Sequence, residues 1–332
     1  MAKQTVYFNS KPKIVGVYSI AGPKEAESEF GKFIKETLTD DKFGESTFEK
    51  AECKMLSRAI RKSIEVAGLQ EGDIGALLSG DLLNQIISAS FAARDFDFPY
   101  IGLYNACSTF SEGLALGAAL LDGGYFQNVV AATGSHFATA ERQYRYPLEL
   151  GATRPPQSQW TVTGAGAAVL SNTCEGNYPK IVAATFGKVV DFGVTDANNM
   201  GAAMAPAAAH TLKTLFKETN TIPEDYDLIL TGDLGVLGSK LLKKLCMDSG
   251  YYIEKVHNDC GKMIYNIDES EYQGGSGAGC SAVVFTSQIY DKLRSGEIKR
   301  MILMATGALL STVSSQQGES IPGVAHAIIL EA

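Results

Sequence analysis

The chain has 332 residues, a formal net charge of −8, 45% hydrophobic residues and 20% charged residues. These values predict a packed globular protein that is long enough for two similar halves, and they exclude a largely disordered chain. They also argue against a nucleic-acid partner, because nucleic-acid binding requires a basic face.

Cysteine usage and apolar segments exclude further classes of protein. The six cysteines include no Cys-x-x-Cys pair, so we expect no metal site and no bound cofactor. The N-terminal residues lack the apolar stretch of a secretory signal, and no apolar run approaches the roughly 20 residues of a membrane span. We therefore expect a cytoplasmic-type soluble protein with reduced thiols and without a signal peptide.

Strand-like and helix-like segments alternate through the first half of the chain. An extended run begins at Lys13, and apolar residues at spacings of three and four predict a helix over 48–69. The apolar segment within 72–85 predicts a strand that ends in Ser-Gly-Asp-Leu. A further helix is predicted over 107–121, and the apolar run 164–172 closes this half as a strand. Such alternation predicts a parallel or mixed sheet with helices packed on it.

The second half repeats these elements in the same order. Its strand-like runs begin at Lys180, recur within 224–238 and end the sequence at 324–332, and a helical pattern covers 207–218. The segment within 224–238 contains Thr-Gly-Asp-Leu where the first half has Ser-Gly-Asp-Leu. The order of elements therefore indicates an internal duplication.

The clearest repeat joins residues 280–307 to residues 107–134. Both segments begin with Cys-Ser, break at Gly-Gly or Ser-Gly, and end on an apolar strand closed by Ala-Thr-Gly, at a constant offset of 173 residues. We predict two duplicated βαβαβαββ halves, residues 1–174 and 175–332. The first half carries an insertion at 135–163.

The helix at 107–121 is expected to lie in the centre of the molecule. Gly113, Gly117 and several alanines leave it little side chain, and no charged residue follows Glu112 within it. A helix that is apolar all round is typical of burial, here between two sheets. Two α/β halves that meet through central helices beginning at Cys-Ser resemble the thiolase-like fold, which has an αβαβα layered arrangement.

The motif Asn-Ala-Cys-Ser-Thr-Phe at 105–110 resembles the nucleophile motif of initiating β-ketoacyl synthases, and the chain is similar to these enzymes and to thiolases over nearly its whole length. The resemblance implies acyl transfer by a cysteine, whose pKa a helix N-terminus would lower, with a histidine and an asparagine. Here Gly232 and Gly274 stand at those two positions. Loss of one oxyanion donor alone costs about 10²–10³ in rate. We therefore expect a non-catalytic protein in which Cys107 is the former nucleophile.

Two residues have alternative interpretations. His257 lies in the segment Val-His-Asn-Asp-Cys-Gly and could substitute for the missing histidine, although a solvated loop histidine is the simpler interpretation. Cys107 could instead be a small buried apolar residue at a tight helix start. An active acyltransferase or β-ketoacyl synthase-like enzyme that uses Cys107 is therefore the alternative function.

The insertion at 135–163 does not resemble a generic part of this fold. It contains three arginines, three glutamines, two tyrosines and the only tryptophan, Trp160. Arginine presents a planar fork suited to carboxylates, and aromatic faces suit a flat ring, so a planar aromatic carboxylate is a fitting ligand. Surface pairing with neighbouring glutamates is the alternative for any single arginine. The resemblance to thiolase-like proteins implies that this insertion covers the mouth of the active site.

Residues 133–164, together with Ser-Gln-Gln-Gly-Glu-Ser-Ile-Pro-Gly-Val-Ala-His-Ala at 315–327, closely resemble the stage V sporulation protein AD family. The resemblance implies binding of dipicolinic acid (pyridine-2,6-dicarboxylate), with calcium only as part of the ligand chelate, for movement into and out of the bacterial spore. It further implies integral membrane partners in the same transport complex, peripheral association with the forespore or spore inner membrane, and a homodimer. A scaffold with a vestigial pocket is a third interpretation.

Our hypothesis places the ligand in the former acyl pocket beside Cys107. The candidate carboxylate partners are His136, Arg142, Arg145 and Arg154. The candidate ring partners are Trp160 and Phe110. The predicted wall consists of Thr163, Asp233, Gly275 and Ser276.

Overall fold

The computed structural model describes residues 3–144, 154–267 and 272–332, with the exception of the Gln316 side chain. Within these ranges the chain forms a mixed β-sheet with helices on both faces. The strands are β1 (Thr5–Tyr7), β2 (Lys13–Ala21), β3 (Glu36–Thr37), β4 (Ala76–Gly80), β5 (Tyr100–Gly102), β6 (Asn128–Ser135), β7 (Trp160–Thr161), β8 (Gly164–Ser171), β9 (Lys180–Thr185), β10 (Leu228–Thr231), β11 (His257–Asp259), β12 (Gly275–Ser276), β13 (Arg300–Ala308) and β14 (Gly323–Glu331).

The α-helices of the same residues alternate with these strands. They are α1 (Pro23–Glu27), α2 (Phe48–Val66), α3 (Ile87–Ala93), α4 (Thr109–Asp122), α5 (Phe137–Tyr144), α6 (Met200–Thr219), α7 (Gly235–Met247), α8 (Cys260–Ile264), α9 (Ala278–Val284), α10 (Tyr290–Ser295) and α11 (Thr312–Gln316). No helix in the described ranges is long and apolar enough to cross a membrane.

The strand order repeats between the halves. The first half has the order β5-β4-β6-β8-β2 and the second has β11-β10-β13-β14-β9, and the two meet through the single pair Lys13 and Lys180. In the first half β6 is parallel to its outer neighbour β4 and antiparallel to β8, and in the second half β13 is likewise parallel to β10 and antiparallel to β14. The predicted duplicated mixed sheet is therefore confirmed, while the boundary between residues 174 and 175 stays a prediction.

The halves stack in layers around the helices that begin near Cys-Ser. Helix α4 contacts β4, β6 and β8 of the first half and β9, β13 and β14 of the second. Helices α2 and α6 cover the opposite faces, α2 against β2, β6 and β8 and α6 against β13 and β14. The order of layers is thus helix, sheet, helix, sheet, helix, as the internal repeat predicted.

Small residues allow the central layer to pack this closely. A Cβ on Gly166 of β8 would lie 2.5 Å from the carbonyl carbon of Ala282 in α9, so only glycine fits there. Gly117 of α4 similarly faces Val129 and Leu170, at 3.1 and 3.3 Å from a hypothetical Cβ. The core is therefore close-packed between the two sheets, and the free space in the molecule lies at the ends of the strands.

Candidate ligand-binding site

A cavity of about 350 Å³ lies beside Cys107, where β4, β5 and β13 end. Sites at the carboxyl ends of sheet strands are typical of α/β proteins. The lining residues come from both halves and are Leu82, Tyr104, Ala106, Cys107, Ala140, Glu141, Tyr144, Thr161, Met200, Met204, Ser276, Ala308, Leu309, Leu310, Ser311 and Ser314.

The cavity wall is mostly apolar and hydroxyl-bearing. Helix α6 supplies Met200 and Met204, and the residues before and within α11 supply two serines. Helix α5, within the predicted insertion, supplies Glu141, which is the charged lining side chain within the described ranges. Glu141 forms an ion pair with Arg154 at 3.0 Å. Such a wall suits a flat apolar ring that carries hydrogen-bonding groups.

A strained turn positions Cys107 at the floor of this cavity. Ala106 adopts a left-handed φ of 50°, which costs on the order of 1 kcal/mol for a residue other than glycine. Contacts with the second half hold the turn in place. The Asn105 amide lies 2.7 Å from Nε2 of His326, and the Ser108 hydroxyl donates to the Ala305 carbonyl oxygen at 3.1 Å.

The carboxyl group of Asp233 lies directly behind Cys107. It accepts hydrogen bonds from the Ser276 hydroxyl at 3.1 Å, the Gly277 N–H at 3.2 Å and the Thr306 hydroxyl at 2.9 Å. The same carboxyl is close enough to the Cys107 thiol to raise the pKa of that thiol. Burial, despite these bonds, raises the pKa of Asp233 to about 7.

A family profile for stage V sporulation protein AD (SpoVAD) matches residues 2–331. The chain belongs to this family. Stage V sporulation protein AD of Bacillus subtilis (strain 168) is 44% identical over 329 residues, which cover 99% of this chain and 97% of that protein.

Solved structures of condensing enzymes share the fold of this family member. The 3-oxoacyl-[acyl-carrier-protein] synthase III of Aquifex aeolicus has a TM-score of 0.55 at 13% identity, over 97% of this chain and 100% of that one. Cerulenin-bound OleA of Xanthomonas campestris has a TM-score of 0.61 at 14% identity, over 99% of each chain. The tetronic acid condensing enzyme AbyA1 has a TM-score of 0.60 at 16% identity, over 96% of this chain and 100% of that one. The predicted thiolase-like fold is confirmed.

The pKa of Cys107 departs from the value expected at a helix start. Burial and the neighbouring Asp233 raise the pKa of the thiol well above its usual range, whereas the sequence predicted a lowered value. The partial charge of one helix terminus is about half a unit and is weak beside complete burial next to a carboxylate. The reactive thiolate that the acyltransferase alternative requires is therefore disfavoured at this position.

Native Cys107 should accordingly react slowly with iodoacetamide. At pH 7.5 we expect alkylation at least about tenfold slower than for a free thiol, because each unit of raised pKa removes tenfold of the reactive thiolate. Peptide mass spectrometry of native and urea-unfolded protein measures both rates. Equal rates in the two states would contradict the raised pKa.

Four predicted residues form the floor of the site. Cys107 and Ser276 line the cavity, and Asp233 lies directly behind them. The carbonyl oxygen of Gly275 accepts a hydrogen bond from the Gln159 side chain at 2.9 Å and helps to fix the same segment. The structure thus brings these four side by side.

Three other predicted residues do not line the cavity. Phe110 is completely buried and packs on Phe285, with ring centroids 6.0 Å apart. Nε2 of His136 lies 2.8 Å from the Asp41 carbonyl oxygen, and its Nδ1 accepts the Ala138 N–H, so the ring is neutral and committed elsewhere.

Arg142 is the third predicted residue away from the cavity. It forms an exposed ion pair with Glu49, as the surface-pairing alternative for single arginines predicted. Arg142, His136 and Phe110 therefore do not line the cavity in which the ligand was predicted. The neutral ring of His136 is explained by burial, which lowers the pKa of the imidazole.

Arg154, Trp160 and Thr163 stand behind the cavity wall. The Trp160 ring stacks on Phe137 with centroids 3.9 Å apart, and the Arg154 guanidinium lies 5.0 Å from the Trp160 centroid. Thr163 accepts the Phe137 N–H at 3.1 Å. These three residues do not line the cavity. They contact or adjoin Glu141 and Thr161, which do. Arg145 lies outside the described residues.

His257 is also corrected, since it is buried and not a solvated loop residue. It lies on β11 with Nε2 3.0 Å from the Thr231 hydroxyl oxygen, and burial lowers its pKa to about 3. It does not line the cavity. Within the described ranges, no group of three or more histidine, cysteine, aspartate or glutamate residues could hold a metal ion.

Sequence reasoning missed most of the apolar and hydroxyl lining. Tyr104 and Tyr144 lie beside each other at the cavity, and the Tyr144 hydroxyl donates to the Leu82 carbonyl oxygen. Ser311 and Ser314 adjoin the glycine-containing motif near the C-terminus, so that motif was the available signal for them. Met200 and Met204 had no signal, because methionine is common in any core.

Proposed function

We propose that this family member is a non-catalytic ligand-binding protein that holds dipicolinic acid in the cavity beside Cys107, for its movement into and out of the spore. The observation that carries the proposal is a cavity lined by a thiol whose pKa burial and the neighbouring Asp233 carboxyl raise well above its usual range. A condensing enzyme requires this thiol as a nucleophile. Here its protonated form is stabilised instead.

The two glycines at the predicted catalytic positions support the absence of catalysis. A Cβ on Gly232 would lie 2.9 Å from Cα of Ala305. Gly274 has a φ of 100°, and its Cβ would lie 2.3 Å from the Gly261 carbonyl oxygen. Backbone packing therefore leaves no room for a histidine or an asparagine at either position.

The lining fits a planar pyridine with two carboxyl groups. Met204 and Leu309 offer apolar surface to a ring, and Ser311 and Ser314 bring hydroxyl groups to the wall that hydrogen-bond to each other. Because Glu141 brings a negative charge to the wall, we propose that the calcium chelate binds better than the free dianion. Calcium then enters as part of the ligand and not as a resident cofactor.

The remaining expectations concern assembly. We propose a homodimer, integral membrane partners of the same transport complex, and peripheral association with the spore inner membrane. The dimer is supported by the outer edge of β5, which pairs only with β4 among the described strands and exposes Ile101. An unpaired strand edge with an exposed apolar residue favours association with a second chain.

Calorimetric titration with pyridine-2,6-dicarboxylate, with and without calcium, tests the proposal. Saturable binding that is absent with pyridine-3,5-dicarboxylate is the expected result, and a change in Trp160 fluorescence should follow the same curve because Thr161 lines the cavity. Arg154→Ala should weaken binding by releasing Glu141. Failure of both isomers to bind would favour the scaffold, and acyl-CoA labelling of Cys107 would favour the acyltransferase.

A further inference from the structure

The floor of the cavity presents a hydroxyl group whose hydrogen points away from the free space. Ser276 lines the cavity beside Cys107 and directs its single polar hydrogen toward Asp233 at 3.1 Å. A hydroxyl has one hydrogen, so Ser276 offers only lone pairs to the cavity. A ligand carboxylate placed here would therefore face a hydrogen-bond acceptor and, behind it, the buried carboxylate of Asp233.

The buried charge has no cation beside it in the described part of the chain. Donors to Asp233 come from β12 and its following residue and from β13, and all are neutral. The titratable groups that face it are Asp259, the last residue of β11, and the thiols of Cys107, Cys260 and Cys280. Asp259 adds repulsion, and the pKa of each thiol is raised well above its usual range.

Resting on the proposed function, we infer that Asp233 takes up one proton when a free dicarboxylate occupies the cavity, which removes the charge and turns the Ser276 hydroxyl hydrogen toward the ligand. The proton comes from water. Protonated Oδ2 can donate to the Ser276 oxygen while it still accepts the Gly277 N–H. The floor then changes from acceptor to donor without movement of the backbone.

The position of the Asp233 titration makes this uptake measurable. Its pKa of about 7 means that the group is mostly ionised above pH 8 and mostly protonated below pH 6. If binding requires the protonated form, affinity is constant at low pH and falls as pH rises through and beyond this value. One proton limits the slope to tenfold per pH unit, and half of the group is already ionised at pH 7, so the Kd should rise about 50-fold between pH 7 and pH 9.

Calorimetry with calcium-free pyridine-2,6-dicarboxylate in two buffers of different ionisation enthalpy counts the protons taken up. At pH 8 we expect about one proton for the natural sequence and about zero for Asp233→Asn, which is neutral at every pH. The Kd of Asp233→Asn should change less than about threefold from pH 7 to pH 9. Because ligand ionisation is common to both proteins, the difference reports Asp233.

Glu25→Gln is the matched control. Glu25 is also completely buried with a pKa raised to about 7 by burial, but it does not line the cavity and bonds to Tyr265 and Thr163. This variant should retain the full proton uptake on binding. If it lost the uptake while Asp233→Asn kept it, the assignment to Asp233 would be overturned.

The possible failures are distinguishable. Binding by the natural sequence with no proton uptake overturns the inference and leaves the proposed function intact. Absence of binding at every pH by the calcium-free ligand alone overturns the inference, and absence of binding with calcium as well overturns the proposed function. If Asp233→Asn does not fold, the number of protons taken up by the natural sequence tests the inference. Ser276→Ala supplies a second test, because loss of the hydroxyl should flatten the pH dependence of the Kd.

Discussion

Phe110→Ala should lower the free energy of unfolding by about 3–5 kcal/mol, the range for truncation of a fully buried phenylalanine. Phe110 is completely buried in the central layer, against Phe285 and among residues of both halves. Its removal leaves a void between two sheets that cannot close around it, because the backbones of α9 and β8 are already in contact at Gly166. Urea unfolding followed by circular dichroism measures the loss.

Phe91→Ala provides the matched control for this change. Phe91 is 44% exposed, so the same truncation should cost less than about 1 kcal/mol. Phe110→Leu separates packing from ligand contact, since it keeps most of the apolar volume. Its affinity for the dicarboxylate should stay within about threefold of the natural value. A large loss of affinity in a stable Phe110→Leu protein would restore the sequence prediction of a ring contact.

The fold was predictable because the information lies in long, repeated patterns. Apolar strands and the Cys-Ser helices recur at a constant offset, so two equal halves and a central helical layer follow from the sequence alone. Element ends were less predictable. Helix α6 was predicted from residue 207 but begins at Met200, because Pro206 resembles the start of a helix although it lies inside one that Asn199 caps.

The cavity was only partly predictable, because side-chain direction depends on local structure that the sequence pattern did not show. Residues 137–144 were treated as part of an irregular insertion, and they form helix α5. One face of that helix carries Glu141 and Tyr144 to the cavity, and another carries Arg142 to Glu49 at the surface. The sequence therefore indicated residue types that suit a carboxylate, but it did not indicate in which direction their side chains point.

The pKa of Cys107 depends on two opposing effects, the helix dipole and burial beside a carboxyl group, and the sequence does not show which is larger. The motif places a thiol at a helix start, where the dipole favours the thiolate. The fold then surrounds that thiol with apolar residues and sets Asp233 behind it. Burial and the negative charge of Asp233 affect the thiol pKa more than the helix dipole does. Cys107 is therefore a protonated thiol, although it lies in a sequence motif that is typical of a nucleophile.

Ala308→Trp should weaken binding of pyridine-2,6-dicarboxylate at least about 100-fold, which corresponds to about 2.7 kcal/mol. Ala308 ends β13 and lines the cavity, so an indole attached there would occupy space that the ligand requires. Ala308 is buried, so an indole there could cost about 1–3 kcal/mol of stability through overpacking. Calorimetry measures the affinity, and thermal unfolding verifies the fold.

Val313→Trp is the control for the size of the substituted group. Val313 lies on α11 beside the cavity residue Ser314, but its side chain is 60% exposed, so an indole there points away from the ligand. Affinity should stay within about threefold. If Ala308→Trp bound as tightly as the natural sequence while Val313→Trp did not, the ligand would have to lie outside the cavity near the surface of α11. If both variants kept full affinity, the part of the cavity beside Ala308 would be excluded as the binding site.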